Sequence, residues 1–166
     1  CLVSLLVGSP AGKAADKSHK IKHILILSSY YWGFGWTEGR VKGFTTHLQD
    51  HKIDARIFRE QLDILRQQKN FDDKLHLDFL KKRYKNLKFA LFLTTDDFAL
   101  RFTAKNYKEL FEGVPVVFSD VAGLEKIDFP PGMKATGVLE HKDFSSTIDL
   151  ARSLRPNARR IIVFGN

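Results

Sequence analysis

Ile21-Lys22-His23-Ile24-Leu25-Ile26-Leu27 followed by Ser28-Ser29 is a short apolar run that stops on two small hydroxyl residues, the pattern of a strand buried in a sheet. The pattern recurs at Phe89 to Leu93, ending in Thr94-Thr95-Asp96-Asp97, and at Val114 to Phe118 after Gly113. Two weaker versions flank these: Lys52 to Phe58 alternates Ile53, Ala55 and Ile57 with polar residues, as on a sheet edge, and Thr136 to Leu139 follows the turn Pro130-Pro131-Gly132. Between the runs the period changes. Val41, Phe44 and Leu48 recur at helical spacing, as do Leu75, Phe79, Leu80 and Tyr84, then Phe98, Arg101, Phe102 and Tyr107. Hydroxyl and carboxylate side chains of Thr94 to Asp97 are placed to cap the third of these helices. Asp143 opens a last helix on Phe144, Ile148, Ala151 and Leu154, and Pro156 closes it.

Strand and helix therefore alternate, which predicts an α/β fold: a three-layer sandwich with a mainly parallel sheet, because parallel neighbours need a right-handed crossover. The chain has 166 residues, 43% of them hydrophobic and 28% charged, enough for a sizeable core and unlike a disordered chain. With 27 Lys+Arg against 19 Asp+Glu the formal charge is +8, a mild lean toward an anionic ligand or surface. Its placement weakens that lean. Lys81, Lys82, Arg83, Lys85 and Lys88 lie on and after one amphipathic helix and read as a solvated face, with no reading element for nucleic acid beside them.

In an open parallel sheet a ligand sits beyond the carboxyl ends of the strands, which selects the loops Ser28–Trp36, Thr94–Asp97 and Ser119–Gly123. The first of them packs Tyr30, Tyr31, Trp32, Phe34 and Trp36 around two glycines. Aromatic rings with polar handles suit a small-molecule cleft, with Tyr30 and Trp36 the expected ligand-facing pair and the others packing on the sheet edge. Capping accounts for one of Asp96 and Asp97 and leaves the other without that explanation.

Several chemistries find no residues. The single Cys, Cys1, excludes a disulfide framework and a thiol nucleophile in the folded body. Ser28-Ser29 stands where a receiver domain needs an acidic pair for Mg²⁺. Neither GxxxxGK[ST], GxGxxG opening a helix, nor GxSxG occurs. His47 and His51 share a helix face without a third ligand, and read as solvated histidines.

Both ends of the sequence carry short apolar runs. Cys1–Val7 is apolar and runs through Gly8 to Ala15 into a charged stretch, the pattern of a clipped secretory signal with a cut after Ala14, or of the tail of an anchor. Arg160 to Phe164 reads as a strand whose partners lie elsewhere.

Taken in order, Ile24–Tyr30 with Trp36-Thr37, then Glu60 and Asp63, Thr95–Leu100, Leu110–Phe118, and Thr136–Glu140 with Asp143 and Thr147 resemble the extracytoplasmic ligand-binding domain of bacterial sensor histidine kinases and diguanylate cyclases. That family is related to the substrate-binding proteins of ABC transporters, and the resemblance spans Ile21 to Asn166. It implies a two-lobed clamp with strand order 2-1-3-4-5 in the lobe: residues 1–20 leader and linker, 21–142 the first lobe, 143–166 the crossover helix and first strand of a second lobe. Carried over, the ligand-facing positions are Ser29, Tyr30, Trp36, Asp96, Asp97 and Ser119, with Glu140 near the hinge. Ser28 departs from a common His, and Ser119-Asp120 from a small residue followed by Gly, so the ligand is expected to differ from that of typical members. The resemblance implies no cofactor and no metal, an exported, non-enzymatic input segment that closes on a small molecule, and an output module in the membrane. The alternatives are the binding protein of an ABC importer, with a permease as partner, and a flavodoxin-like enzyme, which flavin colour or tight nucleotide binding would reveal.

Overall fold

A computed structural model of the protein describes residues 21–141 and 143–162. The leader expected over Cys1–Lys20 lies outside these residues, as does Val163–Asn166.

Each apolar run is a strand: β1 (Lys22–Ser28), β2 (Ala55–Gln61), β3 (Leu91–Thr95), β4 (Val116–Val121) and β5 (Ala135–Leu139). They form one all-parallel sheet in the order β2-β1-β3-β4-β5, as the resemblance implied. Helices α1 (Gly35–Asp50), α2 (Ile64–Gln67), α3 (Asp73–Tyr84), α4 (Asp96–Lys105), α5 (Tyr107–Leu110) and α6 (Phe144–Leu154) fill the connections.

Strand alternation divides the core between the two faces of the sheet. Leu25, Leu27, Phe92, Val116 and Phe118 pack with Leu80 and Tyr84 of α3, Ala99, Leu100 and Phe102 of α4, and Tyr107. Ile26 and Leu93 point the other way, onto Val41 and Phe44 of α1. Tyr107 is fully buried and keeps its hydroxyl satisfied, donating to Val114 O and accepting from Gly113 N.

Three expectations shift. The second strand lies three residues later than its alternation indicated: Lys52 is in the left-handed region (φ 51°), and Ile53 N bonds back to Leu48 O, so Lys52–Asp54 closes α1 instead. The helix after β3 breaks at Asn106, and Tyr107 begins a separate turn. Residues 160–162 are not in a strand, and the remainder of that stretch is outside the described residues.

The polar tail of β2 is held by long-range partners. Tyr84 at the end of α3 donates its hydroxyl to Glu60, which also pairs with Arg83 at 2.9 Å. Burial, reinforced by Glu60, pushes the Tyr84 phenol up to about 12. Tyr84→Phe leaves Glu60 with the exposed Arg83 alone, and is expected to lower stability by about 1–2 kcal/mol. Urea unfolding checks this, and an unchanged midpoint would show that the bond contributes nothing net.

Candidate functional site

β1, β3 and β4 end side by side in register, Ser28 opposite Thr95 and Thr95 opposite Ser119, so the three selected loops converge at one end of the sheet. The aromatic loop leads from β1 into α1. Tyr30 and Tyr31 both pack edge-on against Phe34, at 4.9 and 5.5 Å between centroids. Three of its rings carry guanidinium groups: Arg40 over Trp36 at 4.3 Å, Arg59 over Trp32 at 3.7 Å and Arg66 over Tyr31 at 3.8 Å. Glu38 accepts from Arg59 at 2.8 Å, which holds its carboxyl below the usual carboxylate range.

Three aspartates at strand ends occupy the left-handed backbone region: Asp63 after β2 (φ 50°), Asp96 after β3 (φ 69°) and Asp120 in β4 (φ 60°). Asp tolerates this conformation better than most residues, and such outliers gather at functional sites. At Asp120 the cause is an irregularity of the β4–β5 register between Ser119 and Val121, which turns the carboxylate toward α1, where it pairs with Arg40. Arg40 also donates to Trp36 O at 2.6 Å, one turn back.

The expected site residues separate into two groups. Ser29 is committed to the scaffold: its hydroxyl donates to Thr95 O and accepts from Ala99 N, both at 2.8 Å, tying β1 to α4. Asp97 is likewise engaged, accepting from Gly123 N at 2.9 Å and Ala122 N at 3.4 Å, which fixes the loop after β4. Neither aspartate caps α4. The N-cap residue is Thr95 and makes no side-chain cap bond. Tyr30, Trp36, Asp96 and Glu140 gather around Arg40, and Ser119 lies in β4 beside Asp120. Trp36 is 56% exposed, Ser119 Oγ is buried without a hydrogen-bond partner, and Glu140, directly after β5, bonds through its N–H to Val121 O.

Asp96 is the most heavily buried carboxylate of the cluster, 7% exposed, with Oδ2 lacking a donor. Burial lifts its carboxyl to about 6 against the pull of Arg40, with Asp97 and Glu140 adding to the rise. The Tyr30 phenol is raised by burial and then by Asp96, Asp97 and Glu140. These groups feel one another's charge. Arg40 and Asp120 belong to the cluster and were not among the expected positions, although Trp36 and Arg40 stand at i and i+4, one turn apart.

An apolar groove of about 430 Å³ between the end of β2 and α3, lined by Leu62, Leu75, His76 and Phe79, is separate from this polar cluster. The exposed rings of His47 in α1 and His51 at its C-cap lie 4.0 Å apart and tilted by 34°, and no group of three or more metal-ligating side chains is disposed for a metal ion among the described residues.

No family model matches the chain, and no curated protein matches it. Among solved structures, a substrate-binding protein with adhesive properties from Clostridium difficile, in its ligand-free, open structure, aligns over 82% of this chain with a TM-score of 0.57 and 14% identity. The chain has the fold of a periplasmic-binding-protein lobe. It spans 45% of that protein's length. Within the lobe, the cluster around Arg40 occupies the carboxyl ends of β1, β3 and β4, where this sheet order changes direction. Among the described residues no helix is long and apolar enough to cross a membrane.

Proposed function

We propose that the chain is the first ligand-binding lobe of an extracytoplasmic, two-lobed sensor input domain. Its ligand is held between this lobe and a second one, and closure is passed to a membrane-anchored kinase or cyclase. The observation that carries the reading is the cluster of Tyr30, Trp36, Arg40, Asp96 and Asp120 at the carboxyl ends of the strands, on a lobe whose fold matches a substrate-binding protein. A half-exposed indole and a part-buried tyrosine make one wall of a cleft. Ligand would contact both walls only when the lobes close, and so would shift the open–closed equilibrium. In this reading the segment performs no chemistry and needs no cofactor.

The resemblance also supports α6 and the residues after it as the start of the second lobe. Phe144, Leu150 and Leu154 of α6 are 64%, 60% and 70% exposed, an uncovered apolar face that a second lobe would bury.

The fold likeness to a substrate-binding protein favours a second reading, the binding component of an ABC importer. The sequence following this segment separates the two: a membrane helix and a kinase or cyclase module for the sensor, a stop after the second lobe for the importer.

The test is a thermal-shift screen of the full-length protein against amines, amino acids, sugars and dicarboxylates, followed by titration of the strongest stabiliser. Tyr30→Ala is expected to weaken that binding by about tenfold, a loss of about 1.4 kcal/mol, while the melting temperature of the free protein stays nearly unchanged. A variant that melts several degrees lower and binds as before would make Tyr30 a packing residue and remove the support for a cleft here.

A further inference from the structure

Several polar atoms at this end of the sheet are buried without a hydrogen-bond partner, Asp63 Oδ1 and Ser119 Oγ among them, and one of them, on Asp96, bears on the ligand. Asp120 is paired with Arg40, Asp63 with Arg66 at 3.8 Å, and Asp97 with two backbone N–H groups. Asp96 is 7% exposed; the neighbouring Thr95 hydroxyl favours its charged form, but Oδ2 is buried without a hydrogen-bond partner. A carboxylate oxygen left unpaired in the interior is costly, and a donor arriving with the ligand would remove that cost.

The surrounding charge indicates what kind of donor. The charged side chains acting on Asp96 are Arg40, Asp97 and Glu140: one cation, already bound to Asp120, against two further carboxylates. The aromatic wall shares the preference, since Trp36 already holds a guanidinium over its face and Tyr30 lies in the field of Asp96, Asp97 and Glu140. An anion entering here would meet the same three carboxylates, with Arg40 released to it only by breaking its pair with Asp120.

We infer that Asp96 seats a cationic nitrogen of the ligand, an ammonium or guanidinium, and that the site selects organic cations over anions, zwitterions and neutral polar molecules. This rests on the reading of the cluster as a ligand site. It runs against the mild lean toward an anion given by the +8 of the whole chain, because that charge is carried elsewhere.

The test titrates the full-length protein with putrescine and agmatine, and with succinate, glycine and glucose as the opposing panel, following heat and tryptophan emission. Binding of at least one of the two cations, weakened at least about tenfold in Asp96→Asn, is the expected result. The melting temperature of the variant is recorded to confirm that it is folded. Binding of any of the opposing panel with both cations inert, or cation binding of equal strength in wild type and Asp96→Asn, overturns the cation seat and leaves the ligand site standing. Silence from both panels, with no change in tryptophan emission, overturns both.

Discussion

Asp96→Asn is expected to raise the stability of the protein near neutral pH by about 2 kcal/mol, an unusual outcome for a substitution in an interior. The Asp96 carboxyl is lifted from an ordinary value of 3.8 to about 6, chiefly by burial, so ionising it costs more in the folded chain than in the unfolded one. The sign follows from linkage: the folded state binds the proton more tightly, so this residue's contribution is at its best below about pH 4 and declines as pH rises through about 6. Melting curves of wild type and variant are expected to coincide near pH 4 and to separate by several degrees above pH 6, the variant being the more stable. A variant that melts lower than wild type near neutral pH would mean that the attraction of Arg40 for the Asp96 charge outweighs the cost of its burial. Gain of stability with loss of binding is the behaviour of a residue retained for what it holds.

Gly137→Ala is expected to act in the opposite direction, costing about 1–3 kcal/mol and loosening β5 from the sheet. Gly137 lies opposite Phe118, and a Cβ built on it would fall within contact distance of Phe118 O and 2.6 Å from Phe118 Cγ. Neither the carbonyl of a central strand nor a ring that is 6% exposed can retreat without disturbing the core. β5 is an edge strand with no covering element among the described residues, so the least costly response is for it to peel away. Amide exchange localises the effect: Val138, Leu139 and Glu140, whose N–H bonds Val121 O, are expected to lose protection while Leu25 and Phe92 keep theirs. Uniform protection across all five positions would show that the sheet absorbs the methyl. Because Glu140 acts on Asp96 and Arg40, ligand binding is expected to weaken as well.

The order of strands and helices was legible because each central strand is buried on both faces and must be apolar throughout, as Ile24–Leu27 and Leu91–Leu93 are. β2 was misplaced for the complementary reason. Arg59, Glu60 and Gln61 look like loop, yet Arg59 and Glu60 are strand residues whose polarity is answered by Glu38 on α1 and by Arg83 and Tyr84 on α3, contacts that no local pattern encodes. The site behaved similarly. Loop position alone pointed to Tyr30, Trp36 and Asp96, since topology determines which loops can converge. It could not distinguish Asp96 from Asp97, because what separates them is the approach of Gly123, 26 residues away. Arg40 was hidden in the helical periodicity of α1 as one more solvated cation, and only the backbone irregularity at Asp120 makes it part of the cluster.

The aromatic loop also makes the protein its own optical probe. Trp32 and Trp36 are the only tryptophans in the chain, and both indoles stand against guanidinium groups at the mouth of the proposed cleft. Within these 166 residues, light absorbed selectively by indole is therefore re-emitted from this loop. A molecule settling beside Trp36, or a second lobe closing over it, would alter the colour and quenching of that emission without any attached dye, and Trp36→Phe would separate its share from that of Trp32.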